Sequence, residues 1–270
     1  MGNNKWFDTH AHYDHPLFAG LGPKIVRGLL AQGLSKVVIP AITFDSNFTA
    51  REEFLAGEFP DVFFAAGLHP KCATNEEDWS SEKKSAFESL LRDGRTVAVK
   101  SGLDYSKKKL QDAQKERQVR FFQMMIDYAN GSRLPMVLHI REAVESAVLV
   151  MTQRAIENGA VAHCFTYDYD TARQLQGCGV TYFGIGGAVT REGMDELREC
   201  VAYLPLECLL LETDAPFVKP EGWEERLNDS RAIIPVAGKI AKLKSIPVEE
   251  VLRVCNMNAS RFYGVTYDKY

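Results

Sequence analysis

Short apolar runs alternate with amphipathic stretches along the whole chain. The runs Trp6–His10, Lys36–Pro40, Val62–Gly67, Thr96–Lys100, Pro135–His139, Gly159–His163, Gly179–Gly184 and Glu207–Glu212 predict eight β-strands. Stretches such as VVIP and MVLH are aliphatic and β-branched rather than alternating, as in strands covered on both faces of a parallel sheet. Between the runs the apolar spacing becomes three or four. Val119, Phe122, Ile126 and Ala129 mark one buried helix face, with Gly131 placed to stop that helix. Ile25, Leu29 and Leu30 mark another, ended by Gly33. Strand-then-helix units repeated in this way predict an α/β fold, a single TIM-type (β/α)8 barrel with residues 1–270 as one domain. Periodicity does not show closure, so a doubly wound open sheet remains an alternative.

Composition narrows the class. With 270 residues, 46% hydrophobic and 25% charged, the chain has the make-up of a globular enzyme with a sizeable core. A formal net charge of −4 argues against a broad basic surface for non-specific nucleic-acid binding. It leaves phosphate chemistry open, because bound cations supply positive charge locally. The cysteines at 72, 164, 178, 200, 208 and 255 form no Cys-x-x-Cys pair, which predicts free thiols in a reducing, cytoplasmic setting. No run is long enough to span a membrane. The opening Met1-Gly2 is not followed by the Ser or Thr near position six that myristoylation prefers. The run Lys107–Lys109 reads as a solvated helix start.

The chemistry gathers at strand ends, where barrel enzymes place their catalytic groups. His10 and His12 close the first predicted strand, and alternation puts them on one face. His139 ends the fifth, His163 the sixth, and Asp214 follows the eighth. Four imidazoles and a carboxylate make a nitrogen-and-oxygen site suited to a divalent metal. Each histidine taken alone reads equally as a hydrogen-bonded core residue; it is their joint placement that points to a metal.

The blocks DTHAHYDH, GLHP, SGLDY, LPMVLHIREA, HCFTY and LLLETDAPF, with the tail VCNMNASRFYG, resemble those of the TatD family in the family's order. The resemblance covers almost the whole chain. It implies a metal-dependent hydrolase of the amidohydrolase superfamily, a deoxyribonuclease that cleaves phosphodiester bonds at DNA ends with metal-activated water. It also implies one or two divalent ions (Zn, Mn, Mg or Fe), one held by His10, His12 and Asp214 and the other by His139 and His163. Two ions clamp the attacking and leaving oxygens of a phosphodiester. Asp214 would also assist proton transfer. His69, in GLHP, and Arg141 would contact substrate phosphate, the alternatives being a structural hydrogen bond and an ion pair with Glu142 or Glu145. Glu212 would orient a ligand histidine from behind, and Asp8 is placed for a similar role. Asp104 and Tyr105 would shape the loop after the fourth strand, Tyr167 would narrow the pocket, and Cys164 would fill core. Asn228 resembles the family's Arg-x-Asn segment. Gly184–Gly187 reads as a tight turn or a phosphate loop, and His15 as an ordinary loop residue.

One position departs from the family pattern. Lys100 stands where the family has a glutamate that bridges the two metals. Three outcomes follow. Lys100 is carboxylated and bridges two ions as a carbamate; it stays cationic and replaces an ion; or it swings away as a surface lysine. The first suits a hydrolase of esters, lactones or amides. The second suits a mononuclear or non-catalytic protein that only binds a ligand.

Overall fold

The structure, a computed structural model, describes residues 5–57, 59–73 and 79–266. Met1-Gly2 lies outside the described residues. Eight parallel strands run in sequence order as one sheet: β1 (Trp6–Asp8), β2 (Leu34–Pro40), β3 (Val62–Gly67), β4 (Thr96–Asp104), β5 (Met136–Arg141), β6 (Ala160–His163), β7 (Val180–Ile185) and β8 (Leu209–Leu211). Each predicted strand is present, with ends displaced by up to a few residues. The largest displacement is in β4, which continues four residues past Lys100 to Asp104. The helices α1 (Gly22–Leu30), α2 (Ser46–Leu55), α3 (Ser81–Leu91), α4 (Asp112–Ser132), α5 (Val144–Gln153), α6 (Tyr169–Gln176), α7 (Asp195–Tyr203), α8 (Ile233–Lys244) and α9 (Val248–Tyr263) follow the strands.

The sheet closes, which excludes the open alternative. Across the β1–β8 seam, Thr9 N–H donates to Leu211 O (3.1 Å), Asp214 N–H to His10 O (2.8 Å) and His12 N–H to Ala215 O (2.7 Å). Asp8 clamps the same seam. Its carboxylate accepts from Thr213 N (3.1 Å), Thr213 Oγ1 (2.6 Å) and Ser230 Oγ (2.6 Å), and burial pushes its pKa up to about 7 against those hydrogen bonds. Asp8 therefore serves the seam rather than an imidazole: its one bond to His10 goes to the backbone N–H, at 3.3 Å.

Alternation along the strands sorts the barrel interior into layers. Phe7, Val38, Ala65, Ala98, Val137, Val161 and Leu210 form an apolar floor, joined from below by Ala259 and Tyr263 of α9. Two residues further along their strands come Lys100, His139, His163 and Glu212, so the next layer up is polar. The larger apolar cluster lies between strands and helices.

Two local expectations are corrected. Gly131 does not stop α4, which runs on to Ser132 and is ended by Arg133 in the left-handed region (φ 57°). Lys107–Lys109 form an exposed turn ahead of α4, because β4 extends further than its apolar run indicates. The segment Gly184–Gly187 is a close-packed turn. A Cβ on Gly187 would lie 2.1 Å from Val218 O, and one on Gly184 would lie 2.1 Å from Glu212 Oε2.

Asp8→Ala removes the shared acceptor of buried donors on two neighbouring segments. Unsatisfied buried groups cost about 1–3 kcal/mol each, so urea unfolding of this variant is expected to show a loss of at least about 2 kcal/mol. A loss under about 0.5 kcal/mol would remove Asp8 from the account of barrel closure.

Candidate metal centre

The polar layer is held by strand register. β5 pairs with β6 so that His139 lies beside His163, and β4 pairs with β5 so that Gly102 lies beside His139. Gly102 takes φ 142° and has His139 O only 2.0 Å from where a Cβ would sit, so the close approach of these strands requires glycine. Asp214 and Cys164, each just beyond a strand, take left-handed φ values of 52° and 50°. Non-glycine residues in that region are strained, and such strain gathers at functional sites.

His10, His163 and Asp214 each offer a ligand atom, all within 4.8 Å of one another. His12 Nε2 and His10 Nε2 lie 3.5 and 3.7 Å from Asp214 Oδ1. The His10 ring stacks on that of His163, with centroids 3.7 Å apart and planes inclined by 6°. His139 Nδ1 faces His163 Nε2 at 3.3 Å. The outer nitrogen of each of these two rings abuts a carboxylate: His163 Nδ1 lies 3.2 Å from Glu212 Oε1, and His139 Nε2 lies 3.1 Å from Asp104 Oδ2. Glu212 Oε1 also accepts the N–H of Cys164, at 2.5 Å.

Burial sets the charge state of this cluster. It lowers the pKa of His139 to about 4, against the Asp104 hydrogen bond. It lowers His163 to about 3, helped by the charge on Lys100, and drives His10 well below the ordinary histidine value. Burial would raise Asp214, but the hydrogen bond from His12 leads the opposing contacts that bring the pKa down to about 2. Burial beside Asp214 raises Glu212 to about 8. Near neutral pH the shifted imidazoles are therefore uncharged, and Asp214 is an anion.

That donor set fits a divalent cation. Zinc takes imidazole nitrogens at about 2.0–2.1 Å, so two on one tetrahedral ion lie about 3.4 Å apart. The 3.3 Å between His139 Nδ1 and His163 Nε2 matches that span. His10 Nδ1 and His12 Nδ1 are buried without a partner among the described residues. Lys100 is the exception to the fit. It is fully buried, with Nζ 3.0 Å from His10 Nε2. Burial brings its pKa down to about 8, against the pull of Asp214 and Glu212. The surface-lysine outcome is thereby excluded, since Lys100 points into the polar layer.

Residues 7–264 match the family described as TatD related DNase. A metal-dependent hydrolase of Bacillus subtilis, YabD, is 29% identical over 262 residues, covering 96% of this chain and 99% of its own. A 3'-5' ssDNA/RNA exonuclease, TatD of Citrobacter koseri, is 28% identical and covers 97% of this chain and 100% of its own. The solved structure of YjjV, a TatD homolog from Escherichia coli K12, superposes with a TM-score of 0.83 at 28% identity, covering 98% of this chain and all of that one.

The chain belongs to the TatD-related DNase family. It is a metal-dependent hydrolase built as a TIM-type barrel.

Within this TatD-family barrel, the expected ligand residues His10, His12, His139, His163 and Asp214 share one end. The residues group as His10 with His163 and Asp214, and as His69 with Asp104 and His139, which crosses the two-and-three division that the family implies. Glu212 Oε1 lies 3.2 Å from His163 Nδ1. His69 lies beside the cluster, its ring 4.3 Å from that of His139, but its Nδ1 accepts from Lys71 N (3.2 Å) as the cap of a short turn. Arg141 is exposed, and among the described residues its guanidinium has no acceptor, so the ion pair with Glu142 or Glu145 does not form. Tyr167 hydroxyl accepts from Glu142 N (3.0 Å) and donates to Ile140 O (3.2 Å), bracing the start of that loop. His15 is a loop residue whose Nδ1 accepts from Leu17 N, at 3.2 Å. Asn228 ties the loop after β8 by donating to Thr213 O (2.9 Å) and Phe217 O (2.6 Å).

Two participants have no clear sequence signal. Asp104 reads as a loop former but reaches His139, and Lys71 pairs with Asp104 Oδ2 at 3.1 Å. Only the length of β4 places that carboxylate inside the barrel.

His10→Ala and Asp214→Ala are each expected to lower the metal content of purified protein, read by elemental analysis. Stoichiometry unchanged in both would rule these residues out as ligands.

Proposed function

We propose that this chain cleaves phosphodiester bonds at nucleic-acid ends, with single-stranded DNA as the first substrate and residues 1–270 working as one barrel domain. The observation that carries the reading is the exposed guanidinium of Arg141, two residues beyond His139, which has no acceptor among the described residues. A guanidinium fork without an internal acceptor suits a phosphate oxygen. The Citrobacter koseri relative named as an exonuclease lends support. The six unpaired cysteines suit the cytoplasm.

In this reading His10, His12 and Asp214 would hold one ion and His139 and His163 the other. Ions bound there would supply Lewis acidity and lower the pKa of the attacking water. Asp214, ionised at neutral pH, would serve as the proton acceptor at this site. Arg141 and His69 position the substrate phosphate at the mouth, and Glu212 holds the His163 ring in place. The acidic net charge of −4 restricts contacts to the pocket, so binding should depend only weakly on salt.

The buried Lys100 favours a second reading. Its amine, once neutral, would attack carbon dioxide to form a carbamate, with one proton released to solvent. The resulting carboxylate would bridge two ions and suit ester, lactone or amide substrates. If Lys100 instead remains an ammonium, it takes the place of one ion. The protein is then mononuclear, or a ligand-binding barrel without activity.

Metal-loaded protein is expected to hydrolyse single-stranded DNA and bis(p-nitrophenyl) phosphate. Arg141→Ala should raise KM for phosphodiesters about 10-fold or more, the scale of a hydrogen bond to a charged group, with kcat little changed. Turnover of lactones with no turnover of any phosphodiester would replace the first reading with the second.

The ion count of the wild type, with and without bicarbonate, separates the states of Lys100. Two ions, with bicarbonate dependence, are expected for the carbamate. One ion at most, indifferent to bicarbonate, is expected for the ammonium. Lys100→Glu should hold two in either case.

A further inference from the structure

The polar layer contains a carboxylate that the hydrolase reading leaves unused. Asp104 closes β4, is buried, and has both oxygens engaged. Oδ1 accepts from Ser106 N (3.0 Å) and Ser106 Oγ (2.5 Å). Oδ2 receives the Lys71 ammonium at 3.1 Å and faces His139 Nε2 at 3.1 Å.

His139 has two tautomers available, and they have opposite consequences. With the proton on Nδ1, that nitrogen donates to His163 Nε2, 3.3 Å away. The two rings then satisfy each other, and neither inner nitrogen is left for an ion. With the proton on Nε2, the ring donates outward to Asp104 and leaves Nδ1 bare beside His163 Nε2. On the far side His163 Nδ1 lies 3.2 Å from Glu212 Oε1, an oxygen that also accepts the Cys164 N–H, and His163 Nε2 is the nitrogen that faces His139. An ionised carboxylate only accepts.

We infer that Asp104, steadied by Lys71, is the positioning residue that fixes His139 with its proton on Nε2 and so keeps the His139–His163 pair open to a cation. The inference rests on the ion site proposed at that pair and is independent of the substrate. Asp104 is suited to the task. Ser106 N–H and Oγ–H converge on Oδ1 and the Lys71 ammonium on Oδ2, so the carboxylate meets His139 Nε2 already placed as an acceptor. Lys71 reaches in from the mouth, with half its side chain exposed (51%), so the carboxylate is pinned from the solvent side while His139 is held from within. An amide at position 104 would be free to turn its NH2 toward His139 Nε2. The ring proton would then move to Nδ1 and close the pair. This follows the logic by which an aspartate-to-asparagine change sets the wrong histidine tautomer in a serine-protease triad.

The test uses the full chain, stripped of metal by chelator and labelled with 15N-histidine. Nitrogen chemical shifts of His139 in the metal-free wild type should report a protonated Nε2 and a bare Nδ1. In Asp104→Asn the two should exchange, and zinc affinity by titration calorimetry should fall about 10- to 100-fold, the usual scale for losing a group behind a metal ligand. Lys71→Met keeps the carboxylate and should keep the wild-type tautomer, which separates the hydrogen bond from the charge pair. A merely structural Asp104 would lower stability without moving the ring proton. A metal-free wild type with its proton on Nδ1 would overturn the inference, even if the asparagine variant does not fold. So would Asp104→Asn with wild-type shifts and wild-type zinc affinity. Wild-type protein that binds no zinc, while His139 carries its proton on Nε2, would instead count against the ion site itself.

Discussion

Burial of an uncompensated polar layer above an apolar floor is the constraint on which the rest of the structure depends. His10, His12, His163, Lys100 and Glu212 are all buried in the mouth of one closed barrel, with His139 and Asp214 nearly so. Isolated charges in such a place are costly, so imidazoles give up their protons and carboxylates keep their charge only where donors converge. His139 and His163 are neutral for this reason, and Asp214 is ionised for the same reason in reverse. The cluster is a set of imidazole lone pairs beside the negative charge of Asp214, mostly buried. Such a donor set suits a divalent cation. Because the floor beneath is aliphatic and the strands are paired on both sides, the rings have little room to turn away.

Much of this was legible in the sequence, and the physical reasons are specific. Parallel strands buried on both faces produce continuous apolar runs, so VVIP and MVLH declared themselves and the strand count held. Strand ends in a barrel concentrate chemistry, so His10, His12, His139, His163 and Asp214 pointed to one place. Closure was not legible, because it depends on backbone bonds such as Asp214 N–H to His10 O between residues 204 positions apart. The true end of β4 was hidden, because Ser101, Gly102 and Asp104 leave Leu103 as the one apolar residue of its last four and the stretch looks like loop. That single misreading made Asp104 a loop former, turned the Lys107–Lys109 turn into a helix start, and concealed Lys71. Asp8 was misassigned for a related reason: alternation puts it on the same face as His10, but its partners Thr213 and Ser230 come from the other end of the chain.

Lys100 shows how far a motif carries and where it stops. The family pattern located the position correctly: the side chain is fully buried and its Nζ reaches His10 Nε2. What that nitrogen becomes is a matter of local chemistry. Burial weakens the ammonium, while Asp214 and Glu212 strengthen it, and the balance falls close enough to neutrality for either form to be reached. The fold tolerates a cation there because Asp214 lies alongside, and it would tolerate a carbamate because His10 and His163 stand ready as neutral donors beside ions. Lysine at this point therefore changes the count and charge of what the mouth holds without disturbing the barrel that holds it.

The central claim is that burial and carboxylate contacts turn the inner nitrogens of His139 and His163 toward one cation. A crystal structure of zinc-loaded protein, with data collected on both sides of the zinc absorption edge, tests it most directly. The account predicts an anomalous peak within about 2.0–2.2 Å of both His139 Nδ1 and His163 Nε2. It also predicts that Asp104 and Glu212 stay on the outer nitrogens. A peak bound through His139 Nε2, or no peak at that pair under saturating zinc, would contradict it.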